Sequence, residues 1–241
     1  MSNSPLVSYT KLSPNHSGQR THVVDRITPH CVVGQCSVET LGNVFAPTSR
    51  QASCQYGIGV DGRVGMYVEE KNRSWCSSSN ANDQRAITIE CASDATHPYA
   101  FNDTVYAKLI ELCVDICKRY GKTKLLWLGD KTKTLNYEPA SNEMVLTVHR
   151  WFANKSCPGD WMYARMGDLA SKVTAKLGGS AGGTEKPADN QILYRVQTGA
   201  FSNKANADAM LQKVKAAGFD TYMVKVDNLY KIQVGAFSKK A

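Results

Sequence analysis

Residues 149–161 read HRWFANKSCPGDW and carry the most informative pattern in this 241-residue chain. The stretch holds a histidine, His149, and a cysteine, Cys157, two side chains that zinc accepts readily. Pro158 and Gly159 follow the cysteine directly and predict a tight turn that fixes the direction of the thiolate. Two protein ligands do not make a catalytic metal site, so a third ligand is expected elsewhere in the chain.

His30 is the best candidate for that third ligand, because it follows Pro29 at the end of an apolar stretch that begins at Val23. Two histidines and one cysteine leave the fourth position of a tetrahedral Zn²⁺ to water, as a hydrolytic site requires. A structural zinc would need four protein ligands. We therefore predict that His30, His149 and Cys157 bind a catalytic zinc ion.

These residues resemble a known family. His30, His149 and the motif Lys155–Gly159 are similar to those of the type-2 N-acetylmuramoyl-L-alanine amidases, which include phage endolysins, bacterial autolysins and peptidoglycan-recognition proteins. The blocks YVEEKNRSW (67–75) and NANDQRAITIE (80–90) are similar to the clostridial endolysin-type members. The resemblance implies a zinc hydrolase that cleaves the amide bond between the lactyl group of N-acetylmuramic acid and the L-alanine of the stem peptide. It also implies substrate-groove residues within these blocks, namely Trp75, Asp83 and Arg85.

Glu90 is the predicted general base. In the strand 86–90 the isoleucines share one face, while Thr88 and Glu90 share the other. A carboxylate at this strand end can take a proton from water and pass it to the leaving amine, and the resemblance implies the same role. The alternative is a glutamate that is solvated or paired with Arg85.

Lys155 is the second predicted catalytic residue. It lies two positions before Cys157, so its ammonium group can stabilise the oxyanion that forms when water attacks a carbonyl. The alternative is an ordinary surface lysine. Many relatives carry a catalytic tyrosine at the position that is Cys54 here, and Tyr56 is out of register with it, so the predicted mechanism rests on Glu90 and Lys155.

Composition narrows the class of protein. The chain is 42% hydrophobic and 21% charged, as in soluble globular proteins. No apolar run approaches the ~20 residues of a membrane span, and the first residues show no secretory signal. We expect synthesis in the bacterial cytoplasm and action on the cell wall after release by a holin or by cell lysis. The net charge of +8 favours approach to a polyanionic wall, and no nucleic-acid-binding signature is present.

Eight cysteines, all in the first two thirds of the chain, raise the question of disulfides. A cytoplasmic chain of this size does not need them, so we expect free thiols. Cys113 and Cys117 lie four apart on a predicted helix and are expected to be small helix residues rather than a bridge.

Alternating strands and helices predict an α/β domain over residues 1–177, with a mixed central β-sheet flanked by helices. A strand over Val23–Ile27 leads to His30, and a hairpin joins 55–60 to 64–68. Further strands are expected at 86–90 and 125–128. The clearest helix is 103–120, with Asn102 as N-cap and Gly121 after its end.

A glycine-rich linker is predicted at 178–190, followed by a small α+β unit at 191–241. The sequence YRVQTGAFS at 194–202 recurs as YKIQVGAFS at 230–238. This pattern resembles a SPOR domain, a ferredoxin-like βαββαβ module that binds peptidoglycan, with its last helix and strand missing. A module exposing such a sheet edge is expected to dimerise or to bind weakly.

Alternation along the strands of this unit places Val196 and Ile232 on one face. Four residues on the other face are predicted to bind the cell wall: Gln197, Phe201, Gln233 and Phe237. The alternative is that the two phenylalanines only cover a small core.

Two other functions remain open at this point. A non-catalytic peptidoglycan-recognition module would share the fold, although such relatives typically lack the cysteine ligand that Cys157 provides. A peptidase that cuts within the stem peptide would use the same zinc chemistry.

Overall fold

Seven strands form one mixed sheet in the N-terminal part of the chain. The computed structural model describes residues 3–178, 194–217, 219, 221–226 and 228–237. Two compact units follow one another, residues 1–184 and 185–241. The predicted linker, apart from Gly178, lies outside the described residues.

The strands of the first unit are short. Their bounds are β1 Val7–Thr10, β2 His16–Gln19, β3 Arg26–Cys31, β4 Tyr56–Ile58, β5 Val64–Met66, β6 Asn72–Ser74, β7 Ala86–Cys91, β8 Lys124–Leu126 and β9 Glu143–Leu146. The sheet order is β1-β5-β4-β7-β3-β9-β8, and β2 pairs separately with β6. Only β4 and β5 are antiparallel neighbours within the seven-stranded sheet. The predicted mixed sheet and hairpin are confirmed.

Helices flank this sheet. They are α1 Val38–Phe45, α2 Asn80–Arg85, α3 Asp103–Arg119, α4 Lys131–Leu135, α5 Asp160–Tyr163 and α6 Met166–Lys176, with 3-10 turns at Thr48–Arg50 and His149–Trp151. Helix α3 packs on α6 and β4, whereas α1 contacts β1, β4 and β5. No described helix is long and apolar enough to cross a membrane.

Helix α3 is the element that the sequence predicted best. The Asn102 side chain accepts a hydrogen bond from the amide of Val105, and Gly121 beyond the helix end has a φ of 66°. One face of this helix is buried in the larger core cluster through Val105, Leu109, Leu112 and Ile116. All eight cysteines are free thiols, and Cys113 and Cys117 are core residues of this helix.

The strand leading to His30 differs from its prediction. It begins at Arg26, and Val23 lies before it with 78% of its surface exposed. The preceding valines therefore do not extend the strand. Every residue from Arg26 to Cys31 is buried, because β3 lies between β7 and β9 inside the sheet.

The second unit is a three-stranded antiparallel sheet with one helix. It comprises β10 Tyr194–Phe201, α7 Lys204–Ala216, β11 Thr221–Val226 and β12 Leu229–Phe237, in the sheet order β10-β12-β11. Helix α7 contacts all three strands, and Ala207 and Ile232 are fully buried. These elements agree with the predicted helix and strands.

Register shifts in β10 change which of its residues share a face of the sheet. Gln197 pairs with Gln233, but a shift before Gly199 pairs Phe201 with Tyr230. Tyr230 and Ile232 lie two apart on β12 and therefore share a face. Because Phe201 pairs with Tyr230, it lies on the same face as Ile232. The prediction that Phe201 shares a face with the glutamines is therefore wrong, because a bulge interrupts the alternation.

Candidate functional site

The sheet brings the first two site residues together. His30 on β3 and Glu90 on β7 are register partners near the carboxyl ends of adjacent parallel strands. Neighbouring isoleucines Ile87 and Ile89 belong to the larger core cluster. Alternation therefore places Thr88 and Glu90 on the opposite face of β7, as predicted.

The segment after β9 supplies the remaining predicted ligands. His149 opens the 3-10 turn after β9, and Cys157 lies just beyond that turn. The amide of Gly159 donates to the carbonyl of Ser156 at 2.8 Å. Gly159 has a φ of 84°, and a Cβ there would lie 2.8 Å from the carbonyl oxygen of Pro98. Only glycine fits this turn without strain, so the predicted tight turn after Cys157 is confirmed.

His30, His149 and Cys157 converge. One possible ligand atom from each lies within 4.8 Å of the others, and His30 Nδ1 is 3.2 Å from Cys157 Sγ. In a tetrahedral zinc site, a nitrogen and a sulfur ligand lie about 3.5 Å apart. The Ser78 hydroxyl is 3.0 Å from His149 Nε2, which leaves Nδ1 of that ring available for a metal.

The protonation of these three residues suits a divalent cation. Burial lowers the pKa of His30 well below its usual value, and His149 adds to the effect. Burial, assisted by the charge of Lys155, also lowers the pKa of His149. Both rings are therefore neutral and able to bind metal at pH 7. Burial raises the pKa of Cys157 well above its usual range, so its thiolate needs a cation beside it.

The residues therefore fit Zn²⁺. Two neutral imidazoles and one thiolate form the ligand set of a catalytic zinc site with an open fourth position. Nε2 of His30 is buried without a hydrogen-bond partner among the described residues.

Glu90 sits against this group. Its Oε1 is 3.9 Å from His30 Nδ1, and 17% of its side chain is exposed. Burial raises the pKa of Glu90 to about 7, and the charge of Arg50 opposes this shift. Its Oε2 has no hydrogen-bond partner within the described part of the chain. The predicted alternative of a pair with Arg85 is wrong, because Arg85 binds Asp25. A carboxyl group that titrates near neutral pH is suited to proton transfer.

Cys76 forms a second possible ligand set with His30 and Glu90. Its Sγ lies 3.9 Å from Glu90 Oε1, and burial raises its pKa well above the usual value. The sequence analysis did not identify this residue, although it directly follows Trp75. Because His30 belongs to both sets, variants of Cys76 and Cys157 are needed to distinguish them.

Two depressions open onto the site. One of about 480 Å³ extends past Trp75 and Arg73, and the other of about 350 Å³ extends past Val33 and Tyr99. Both are lined by Phe45, Arg50, Glu90, His149 and Lys155. Lys155 is exposed, so its ammonium group borders the cleft from the surface.

The three predicted groove residues have different surroundings. Trp75 lines the larger depression, and its Nε1 donates to the Ser17 hydroxyl at 2.7 Å. Asp83 lines the same depression but is 2% exposed and accepts hydrogen bonds from the amides of Cys76 and Ser77. Arg85 instead lines a neighbouring depression, which shares the segment from Ser78 to Asn80 with the first.

Tyr56 has a structural role. Its hydroxyl donates to Glu70 at 2.6 Å and accepts from the amide of Ser4. Cys54, at the position where many relatives carry a tyrosine, is fully buried. Its pKa is raised well above the usual value by burial and further by the nearby Glu90. The hydrogen bonds of Tyr56 to Glu70 and Ser4 are consistent with leaving Tyr56 out of the predicted mechanism.

The candidate wall-binding residues of the second unit occupy both faces of its sheet. Gln197 is exposed, and Gln233 is half-buried opposite it. Phe201 is half-buried, and its ring covers Gly199, where a Cβ would lie 2.5 Å from it. This placement agrees with the alternative that Phe201 covers a small core. The side chain of Phe237 lies outside the described part of the structure.

Arg50 and Ser78 are the main site residues that the sequence did not reveal. Arg50 ends an isolated 3-10 turn, and Ser78 lies in the loop before α2. Neither belongs to a motif with regular spacing. Only the folded chain brings them beside His149 and Glu90.

Comparisons with solved structures give relatives of low sequence identity. The N-acetylmuramoyl-L-alanine amidase LysC from Clostridium intestinale URNW is 16% identical, with 72% of this chain and 96% of that chain covered and a TM-score of 0.45. A mutant endolysin from Bacillus subtilis is 15% identical, covering 68% and 97%, with a TM-score of 0.44. The Staphylococcus aureus hydrolase AmiA in complex with its ligand is 15% identical, covering 72% and 86%, with a TM-score of 0.46.

Family models match both units of the chain. The SPOR domain model matches residues 190–241, and the N-acetylmuramoyl-L-alanine amidase model matches residues 19–160. No curated protein sequence matches significantly. The resemblance to the amidases and to a SPOR domain is thus confirmed. Since the amidase model spans more than half of its length, the chain belongs to the N-acetylmuramoyl-L-alanine amidase family.

Proposed function

We propose that this protein is a zinc-dependent N-acetylmuramoyl-L-alanine amidase that degrades bacterial peptidoglycan. It hydrolyses the amide bond between the lactyl carbonyl of N-acetylmuramic acid and the L-alanine of the stem peptide. One observation carries the proposal: His30, His149 and Cys157 converge within 4.8 Å beside an open cleft that Glu90 also lines. Membership of the amidase family supports the same substrate.

His30, His149 and Cys157 are the proposed zinc ligands. A bound Zn²⁺ supplies a Lewis acid that polarises a carbonyl group and makes water more acidic. Ser78 holds the ring of His149 through Nε2, and the turn at Gly159 fixes the direction of the Cys157 side chain. The protein thereby holds two of the three ligand side chains in place before metal binds.

Glu90 is the proposed general base and acid. Its carboxylate, which lines the cleft, accepts a proton from the attacking water while the new C–O bond forms. The same carboxyl group then delivers the proton to the alanine nitrogen as the C–N bond breaks. Burial, which raises the pKa of this carboxyl group, favours uptake of the proton that it later delivers.

Lys155 is the proposed oxyanion stabiliser. Its ammonium group borders both depressions beside His149 and has no acidic partner among the described residues. Negative charge that develops on the lactyl carbonyl oxygen is stabilised by this cation in the transition state.

The proposed groove runs through the larger depression. Trp75 offers an aromatic surface there, while Asp83 shapes the wall by holding the amides of Cys76 and Ser77. Arg85 contributes to the neighbouring depression, where an extended substrate would continue.

The second unit is proposed to bind the cell wall through its SPOR fold, with Gln197, Gln233, Phe201 and Phe237 as candidate contacts. We further propose that the protein acts on peptidoglycan after release from the cell in which it is made. We also propose that two copies of the protein pair through the second unit.

Digestion of defined muropeptides, followed by mass spectrometry of the products, tests the activity. The proposal expects a free lactyl carboxylate on the sugar and a free amino group on L-alanine. New termini within the stem peptide would instead identify a peptidase. Wall binding without any new termini, in protein with a full zinc content, would identify a non-catalytic recognition module.

A further inference from the structure

Arg50 is a cation of the cleft with no role in the proposed mechanism. It is exposed, lines both depressions, and has no acidic partner within the described part of the chain. Its backbone is fixed, because the Arg50 amide donates to Pro47 and the Gln51 amide donates to Thr48. Arg63 and Arg85, by contrast, form ion pairs with nearby carboxylates. Arg50 is therefore held in place without a salt bridge to any described residue.

The larger depression carries excess positive charge. Arg50, Arg73 and Lys155 line it, while its acidic residues are Glu90 and Asp83. Asp83 is buried and occupied by donors from Cys76 and Ser77, so it does not neutralise a cation in the cleft. The Nε of Arg73 is also buried without an acceptor among the described residues, although its other nitrogens bind Ser17 and Asn80. A groove of this kind favours an anionic ligand.

The anion must lie close to the bond that is cut. Arg50 borders the same two depressions as Glu90, His149 and Lys155. A guanidinium group in the same cleft as the general base can contact substrate atoms within one or two residues of the reacting carbonyl.

The chemistry of a muropeptide identifies the anion. On the sugar side the carboxyl group of muramic acid is consumed in the scissile amide, and the glycan is neutral. The first peptide residue, alanine, has no side-chain charge. The second residue is acidic, and it carries a free carboxylate near the scissile bond unless that group is amidated.

We infer that Arg50 binds the free carboxylate of the acidic second residue and makes the enzyme selective for acidic over amidated stem peptides. The planar guanidinium group suits a carboxylate because it can donate two parallel hydrogen bonds. A carboxamide offers one acceptor oxygen and no charge, so this contact is weaker for amidated substrates. The inference rests on the proposed amidase function and specifies its substrate.

The test uses the full-length zinc-loaded protein and two soluble muropeptides that differ only in a carboxylate or a carboxamide at the second residue. We expect the wild type to have a KM about tenfold lower for the carboxylate form, a factor typical of one charge-assisted contact. Arg50→Gln should raise that KM about tenfold, leave the KM for the carboxamide form within about twofold, and change kcat little for either. Lys118→Gln, which removes a positive charge on the exposed face of α3, should retain the wild-type selectivity.

Equal KM values for the two substrates in the wild type would overturn the inference. So would an equal loss for both substrates in Arg50→Gln at an unchanged zinc content. If the wild type cleaves neither substrate at the lactyl–alanine bond, the proposed function fails instead. Calorimetric titration with the carboxylate and carboxamide forms of the free stem peptide then tests Arg50 independently, and equal affinities there would overturn the inference.

Discussion

His30 and Glu90 are register partners on adjacent parallel strands, and His30 Nδ1 lies 3.9 Å from Glu90 Oε1. The sheet therefore places the proposed first ligand and the proposed general base side by side without help from a loop. His149 and Cys157 reach the same point from the segment after β9. Because the proposed ligands and the proposed general base are different residues, metal binding and catalysis can be tested separately.

The purified protein should contain one zinc ion per chain, measured by elemental analysis. His30→Ala, His149→Ala and Cys157→Ala should each lose it, because two remaining protein ligands do not hold a catalytic zinc. Cys76→Ala is the matched control, since Cys76 also lies near His30 and Glu90 but belongs to the other possible ligand set. Zinc retained in Cys157→Ala and lost in Cys76→Ala would reverse the assignment.

Glu90→Gln and Lys155→Ala should keep the zinc and the fold but lower kcat by roughly 10²- to 10³-fold, the usual cost of losing a general base or one oxyanion donor. Steady-state hydrolysis of a soluble muropeptide measures this. Lys118→Ala removes a comparable charge from an exposed helix surface and should retain wild-type kcat. A Glu90→Gln variant within a few-fold of the wild type would remove Glu90 from the mechanism.

The zinc-free protein should carry a pH signature of Glu90. Burial raises the pKa of this group from 4.5 to about 7, so the folded state holds a proton that the unfolded chain loses between these values. Stability falls with rising pH wherever the folded state binds more protons. The Glu90 carboxyl group therefore destabilises the folded state most above pH 7, where it is ionised in both states.

Glu90→Gln should remove this dependence. In chelator-treated protein, we expect the variant to gain stability relative to the wild type as the pH rises from 4.5 to 7, reaching roughly 2 kcal/mol at pH 8. That figure is below the full shift because 17% of the side chain is exposed. Urea unfolding across this range measures the difference. A difference that does not change with pH would show that folding does not raise the pKa of Glu90.

The sequence predicted those features that residues close together in the chain determine. Helix α3 could be bounded because its N-cap, Asn102, and the glycine after its end act within one turn of the chain. His30, His149 and Cys157 could be grouped because their chemistry and family pattern are distinctive. Arg50 could not be found, since only tertiary folding brings an isolated turn to the cleft. The predicted sheet face of Phe201 was wrong, because the pairing of β10 with β12 contains a bulge that moves Phe201 to the face of Ile232.

Removal of the second unit should separate catalysis from wall binding. Residues 1–177 contain every proposed ligand and catalytic group, so this fragment should hydrolyse small soluble muropeptides at nearly the rate of the full chain. On intact walls it should be slower, because a tethered binding unit raises the local enzyme concentration. Amine release from both substrates measures this. Equal rates on intact walls would argue against a wall-binding role for the SPOR unit.

Strand β10 lies at one edge of the three-stranded sheet. In the described sheet β10 pairs only with β12, which leaves its other edge open. An open edge can pair with the same strand of a second copy, so we expect the full chain to form dimers that residues 1–177 do not form. Light scattering over a range of concentrations measures the mass of each. Thr198→Pro, which removes an amide donor from the middle of β10, tests whether the edge is responsible when the second unit of the variant remains protease-resistant. A monomeric full chain whose second unit resists protease and binds walls would show that the edge is not used for pairing.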